Sequence, residues 1–167
     1  MTNKDQNCQI KLLLEVYDQA YDHIAWHGTN LRGSLKGLKI NELLWRPQSK
    51  RHNIWEIALH CAYWKYVVLR RMVGGKKGDF PRKPSNFPRL PKEPTLALWK
   101  KDLVLLEEMH QKLRDAIANF PENKLYKMPE NSKVSYIATI YGAASHDLYH
   151  AGQIQLLKRM EKKKLDN

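Results

Sequence analysis

Apolar residues recur at three- and four-residue intervals along most of the chain, and this spacing is typical of one face of an α-helix. The first such segment runs from about residue 8 to residue 38. Its stripe consists of Leu13, Tyr17, Ala20, Ile24, His27, Leu31 and Leu35. We predict a helix over this segment, although Gly28 and Gly33 weaken its second half because glycine lowers helix stability.

Three further segments have the same periodicity and end at recognisable signals. They predict helices over about 54–73, 95–120 and 133–163. Asn53 and Glu56 have the spacing of a capping box at the start of the second helix, and Gly74 supplies its end. Thr95 and Ser132 are candidate N-caps of the third and fourth helices.

A proline-rich segment separates the second and third predicted helices. Residues 74–94 contain prolines at positions 81, 84, 88, 91 and 94, so this segment cannot be helical. It is long enough to cross between distant ends of a helical bundle. We therefore predict an all-α fold, a four-helix bundle with a long proline-rich crossover loop. The bundle forms one domain over residues 1–167, with a polar N-terminal tail and a basic C-terminal tail.

Composition and charge narrow the class of protein. The chain has 29 Lys and Arg against 17 Asp and Glu, a formal net charge of +12, which favours polyanionic partners. The basic residues are dispersed and accompany no nucleic-acid-binding motif, so a nucleic-acid partner is the less favoured interpretation. No apolar run is long enough to span a bilayer, and the N-terminus lacks a signal-peptide core. Cys8 and Cys61 make no disulfide framework, which is typical of a cytosolic protein. We therefore predict a cytoplasmic protein, and the lack of a long apolar run predicts no membrane partner.

Histidines carry the clearest candidate chemistry. His146 and His150 are four residues apart in the fourth predicted helix, so both side chains face the same way, one turn apart. Gly142 and Ala143 on that face leave room for a metal ion and a substrate. His60, in the middle of the second predicted helix, is the best third ligand. Three neutral imidazoles can hold a divalent transition metal with coordination positions left open, whereas the alternative for each is a hydrogen-bonded core histidine.

Two segments of the chain resemble motifs of the DinB-like (YfiT-like) family of metalloenzymes. Residues 145–154 (SHDLYHAGQI) resemble the motif of the family's C-terminal helix. Residues 52–60 (HNIWEIALH) resemble the motif of its second helix. Shorter segments, at 25–28, 45–47 and 80–81, are similar to those of one subgroup. The matching features extend from about residue 10 to residue 160, which is nearly the whole chain.

The resemblance implies a four-helix bundle, often a homodimer, in which three histidines hold one divalent metal, most often zinc or nickel. By position these are His60, His146 and His150. It also implies a small-molecule substrate, since characterised relatives include transferases and isomerases that use low-molecular-weight thiols. DNA binding is not implied. We expect a metal-dependent enzyme with thiol-transfer or hydrolytic chemistry; the alternative is a non-catalytic metal-binding or stress-response module.

Five other residues are candidates for the same site. His27 is a candidate general acid or base, although a core histidine bonded to backbone is the alternative. Glu56 is a candidate to orient a water at the metal, but the capping box explains it without chemistry, and we prefer that interpretation. Asp147 and Gln153 are candidate hydrogen-bond partners of the ligands, and Tyr149 is a candidate proton donor at the pocket rim.

Overall fold

The computed structural model of the protein describes residues 8–75, 77–130 and 132–165. This part of the chain contains six α-helices, one short 3₁₀ turn and no β-strand. The helices are α1 (Cys8–Tyr21), α2 (Leu31–Ser34), α3 (Ile40–Leu44), α4 (Ile54–Val73), α5 (Leu96–Ala118) and α6 (Tyr136–Leu165). The prediction of an all-α fold is confirmed. The predicted polar tail at residues 1–7 lies outside the described residues.

The prediction of a single helix over residues 8–38 is wrong. Helix α1 ends at Tyr21, and the short helices α2 and α3 follow it. Asn30 starts α2, because its side-chain oxygen accepts a hydrogen bond from the Gly33 N–H at 2.8 Å. Gly28 has a left-handed φ of 93°, which an α-helix cannot contain. Local side-chain and backbone preferences therefore outweigh the apolar periodicity in this segment.

Two of the other predicted helices begin or end at the expected signals. Asn53 and Glu56 form the capping box of α4, in which the Glu56 N–H donates to Asn53 Oδ1 at 2.9 Å. Gly74 ends α4 in the left-handed conformation, with a φ of 79°. Thr95 caps α5, because its hydroxyl accepts a hydrogen bond from a backbone N–H in the first turn. These ends could be predicted because they depend on neighbours in sequence.

The predicted N-cap of the last long helix is wrong by three residues. Helix α6 begins at Tyr136, after Ser135 rather than after Ser132. The Ser135 hydroxyl accepts a hydrogen bond from the Ala138 N–H at 3.4 Å, which is the geometry of an N-cap. Either serine satisfies the sequence rule, so composition alone does not distinguish them.

The four long helices pack side by side. Helix α1 contacts α5 and α6, and helix α4 contacts the same two helices. Buried apolar side chains form two groups, one toward each end of these helices. The first group includes Tyr21, Ile54, Leu106 and Ile154. The second group includes Leu13, Val68, Leu113 and Ala144. The C-terminal parts of α1 and α6 lie in the first group, together with the N-terminal parts of α4 and α5. Helices α1 and α6 therefore run in one direction, and α4 and α5 run in the opposite direction.

Because α4 and α5 run in the same direction, the segment between them must return along the bundle. Its described residues contain no helix or strand. Phe80 is buried in the first apolar group. Arg82 forms an ion pair with Asp102 of α5, with 3.4 Å between the charged atoms. These contacts attach the crossover segment to the helices.

A layer of polar side chains lies between the two apolar groups. Lys65 of α4 and Asp147 of α6 form an ion pair there, and their side chains are only 2% and 1% exposed. The Lys65 ammonium group also donates to the Tyr17 hydroxyl at 3.2 Å and lies over the rings of Tyr17 and Tyr21. His110 of α5 stacks on both tyrosine rings. Each long helix thus contributes to one buried polar layer.

Removing one member of the Lys65–Asp147 pair should destabilise the protein more than removing both. Lys65→Met leaves an unpaired buried carboxyl group, which typically costs about 3–5 kcal/mol of unfolding free energy. The double variant Lys65→Met/Asp147→Leu buries no charge and should recover most of that loss. Urea unfolding of the metal-free proteins would measure the unfolding free energies of wild type and of both variants. The control, Arg32→Gln, breaks an exposed pair with Glu107 and should cost at most about 1 kcal/mol. Equal losses in the single and double variants would contradict the argument.

Stability should also depend on pH through His110. Burial lowers the pKa of His110 to about 2 in the folded protein, whereas an unfolded histidine has a pKa of about 6.5. Below about pH 6.5 the unfolded chain therefore binds a proton that the folded protein does not, and stability falls with pH. His110→Phe keeps a stacked ring that cannot bind the proton. Between about pH 7.5 and about pH 5, wild type should lose about 2 kcal/mol more unfolding free energy than this variant. Urea unfolding at both pH values measures these losses. An equal loss of unfolding free energy in wild type and in His110→Phe would show that His110 is not buried in its neutral form.

Candidate metal centre

Three histidine side chains from two helices meet at one point. His60 lies in the middle of α4, while His146 and His150 are one turn apart on α6. The Nε2 atom of His146 lies 3.1 Å from that of His60 and 3.1 Å from that of His150. Each residue can offer one ring nitrogen, and these nitrogens lie within 4.8 Å of one another. The structure therefore brings together the three residues whose spacing predicted a shared site.

Hydrogen bonds hold the outer nitrogens of two of these rings. His60 Nδ1 lies 3.0 Å from the backbone carbonyl oxygen of Asn86. Because a carbonyl only accepts, this nitrogen carries the proton. His150 Nδ1 likewise donates to Oε1 of Gln153 at 2.7 Å. A neutral imidazole carries one proton, so the Nε2 atoms of His60 and His150 are bare acceptors that face His146.

This arrangement fits a cation between the three rings. Burial, reinforced by the neighbouring histidines, lowers the pKa of His146 to about 3. Burial also lowers the pKa of His150 to about 4 and the pKa of His60 below its ordinary value. All three rings are therefore neutral near pH 7, and His146 Nε2 can donate a proton to at most one of its two neighbours. Two nitrogens bound to one zinc ion lie roughly 3.3 Å apart, which is close to the 3.1 Å that separates His146 Nε2 from that of each neighbour.

The proline-rich crossover supplies part of the site. Asn86 has a left-handed φ of 75°, which asparagine tolerates better than most residues. Its carbonyl accepts from His60, and its side-chain oxygen accepts from the Trp64 indole N–H at 2.9 Å. The Phe87 ring stacks between the rings of His60 and His52, with centroid distances of 4.1 and 3.7 Å. Asn86 and Phe87 were not among the predicted site residues, because no local signal in this segment shows which residues return to α4.

A cavity of about 950 Å³ opens onto the three histidines. Its apolar walls are formed by Pro47, Ile57, Trp64, Phe87, Leu156, Leu157 and Met160. Tyr149, which is 64% exposed, lies at the rim with its ring centroid 5.1 Å from that of His150. Gln153 also lines the cavity while it holds His150. A concave, mainly apolar space of this size is typical of small-molecule sites.

Asp147 lies next to the site without bonding to a ligand histidine. Its carboxylate pairs with Lys65, and its second oxygen is buried with no hydrogen-bond partner among the described residues. Burial raises the pKa of Asp147, and the Lys65 charge opposes that rise. The Cys61 sulfur lies within 4.8 Å of a His146 nitrogen and an Asp147 oxygen, but burial raises the pKa of this thiol. Cys61 is therefore a neutral core residue rather than a thiolate ligand.

Two predicted catalytic candidates lie outside the histidine cavity. His27 is exposed in the loop between α1 and α2 and is not among the residues that line the cavity. Glu56 accepts two hydrogen bonds of 2.6 Å from the guanidinium group of Arg46 and another from the Asn53 N–H. Burial raises the pKa of Glu56, but these bonds lower it further than burial raises it. The contacts of Glu56 are those of a structural carboxylate, and its partner Arg46 was missed by sequence reasoning.

The fold and the site define a class: an all-helical protein with a three-histidine candidate metal centre that opens onto a cavity. The sequence model of the DinB superfamily matches residues 23–154, and the chain belongs to this superfamily. The family resemblance of its two histidine motifs is thereby confirmed. A search of curated proteins and a search of solved structures each found no match. Within the described residues, no helix has the length and apolar character needed to cross a membrane.

The hydrogen bonds predict the proton positions on two rings. In metal-free protein at about pH 7, long-range ¹H–¹⁵N spectra should show His60 and His150 neutral, with the proton on Nδ1. Gln153→Leu removes the acceptor of His150 and should shift that ring to a mixture of tautomers while His60 is unchanged. Gln155→Leu, a glutamine of α6 that does not line the cavity, is the control. A wild-type His150 with its proton on Nε2 would contradict this geometry.

Proposed function

We propose that the protein is a divalent-metal-dependent enzyme that acts on a small molecule. In this proposal His60, His146 and His150 hold one ion, with zinc or nickel the first candidates because imidazole nitrogen suits both. The observation that carries the proposal is the convergence of three ring nitrogens from residues that line one cavity. Membership of the DinB superfamily agrees with it.

The open side of the centre supports catalysis over a purely structural role. Among the described residues, no fourth His, Cys, Asp or Glu joins the three histidines. Structural zinc sites are usually closed by four protein ligands, whereas catalytic sites keep a position for water or substrate. The second candidate function, a non-catalytic metal-binding or stress-response module, is therefore less favoured.

The residues around the centre have separate roles in this proposal. Asn86 and Gln153 hold two ligand rings in place, the apolar walls exclude water, and the exposed Tyr149 hydroxyl can donate a proton at the rim. A divalent ion held by the histidines would lower the pKa of a thiol or a water that binds beside it.

The lining favours a thiol over water as the nucleophile. No Asp or Glu is among the described residues that line the cavity, so none is placed there to take a proton from water. A thiol, with an ordinary pKa of about 8.5, needs less assistance than water. Transfer of a low-molecular-weight thiol to an electrophilic small molecule is thus our first choice of reaction, and hydrolysis is the second.

Metal content tests the proposed centre directly. Elemental mass spectrometry of untagged protein should find near-stoichiometric zinc or nickel in wild type. His150→Ala should lose most of it, because two imidazoles bind far more weakly than three. His27→Ala removes an exposed histidine and should retain the metal. Little metal in wild type, even after reconstitution, would mean that the three histidines do not form a metal centre.

Catalysis needs a separate measurement. Metal-loaded wild type should accelerate the reaction of a thiol with an epoxide test substrate, and His150→Ala should lose that acceleration. Hydrolysis of an ester or amide panel serves as the comparison. Stoichiometric metal without rate acceleration in either panel would favour the non-catalytic module.

A further inference from the structure

We infer that the cavity selects an amphipathic anion, a molecule with an extended apolar body and one anionic group that Arg51 binds at the cavity mouth. This substrate class rests on the proposed function only for what happens at the three histidines. It is carried by the chemistry of the lining and by the contacts of Arg51.

The charged part of the described cavity wall is positive. Arg51 is the one Lys or Arg among the described lining residues, and none of those residues is an Asp or a Glu. Most of the remaining wall is aliphatic or aromatic. An apolar chain is therefore favoured along the wall, and a cationic ligand would meet only like charge or neutral groups.

Arg51 is held in place through its backbone while its guanidinium group stays available. Its N–H donates to the Gln48 carbonyl at 3.0 Å, and its carbonyl accepts from the Arg46 guanidinium group at 2.5 Å. Its side chain has no ion pair or hydrogen bond in the described structure, and the residue is exposed. Arg51 is exposed, like Gln48 and Tyr149, whereas His60 and His150 are buried, so these exposed residues lie at the mouth of the cavity. A fixed backbone with an unpaired guanidinium group suits carboxylate or phosphate binding.

Two other basic side chains near Arg51, those of Arg46 and His52, are already engaged. The Arg46 guanidinium group is neutralised by Glu56. The His52 ring stacks on Phe87, and its Nδ1 atom lies 3.2 Å from a Glu56 oxygen. Arg51 is therefore the cation that remains for a ligand at this end of the cavity.

The first test uses metal-free protein, so it does not depend on the proposed metal centre. Calorimetry should show that decanoate binds about fivefold more tightly than decanol, the gain expected for one exposed charge pair. A decylammonium ion should bind more weakly than decanol. Arg51→Gln should reduce the preference for decanoate over decanol to about one. Lys50→Gln removes a neighbouring exposed cation that does not line the cavity and should keep the preference.

Two results would overturn the inference. Equal binding of decanoate and decanol by wild type would show that the cavity does not select for charge. A preference that persists in Arg51→Gln but disappears in Lys50→Gln would place the anion outside the cavity.

A second test separates failure of this inference from failure of the proposed function. Cobalt-loaded protein is titrated with an eight-carbon thiol that ends in a carboxylate, and with the matching alcohol. Both proposals are supported if each thiol gives a sulfur-to-cobalt absorption band and the carboxylate thiol binds more tightly than the alcohol thiol. This difference in affinity should be absent in Arg51→Gln. The band without any carboxylate preference overturns the inference and leaves the open metal centre standing. A carboxylate preference in metal-free protein without the band supports the inference and counts against the open metal centre.

Discussion

The buried ion pair between Lys65 and Asp147 sets how the two ligand-bearing helices lie against each other. Lys65 follows His60 by five residues on α4, and Asp147 directly follows His146 on α6. A slip of one helical turn, about 5.4 Å, would separate the charges and also the facing Nε2 atoms. Because separating buried charges is costly, the pair makes that slip unfavourable. The same polar layer that interrupts the apolar core therefore fixes the register on which the histidine centre depends.

The two helices orient their histidines in different ways. His150 is held within its own helix, because Gln153 lies one turn further along α6. His60 instead depends on the crossover segment, whose Asn86 carbonyl and Phe87 ring contact it. The crossover is attached to the bundle by the burial of Phe80 and other contacts. The site is therefore complete only with this segment packed against the bundle, so the long irregular connection is part of the centre.

The relative positions of residues within one regular helix could be predicted from the sequence, whereas the irregular segments and the buried polar contacts could not. The four-residue spacing of two histidines on α6 fixes their common face, so that part of the site could be predicted. The exposed position of His27 could not, because the Asn30 cap outweighs the apolar stripe there. Asn86 lies 26 residues from His60, and Lys65 lies 82 residues from Asp147. No periodicity or motif in this sequence links Asn86 to His60 or Lys65 to Asp147, although a lysine inside an apolar helix face indicates a buried partner.

In the proposed metal centre, the surrounding charges would favour an anionic ligand. Three neutral imidazoles would contribute no negative charge to a divalent ion. The nearby carboxylates do not supply it either, because Asp147 is neutralised by Lys65 and Glu56 by Arg46. A loaded centre would therefore keep the ion's positive charge inside a mainly apolar cavity, where an uncompensated charge is unfavourable. An anion bound at the ion, such as a thiolate, would supply that compensation, and the net charge of +12 favours its approach.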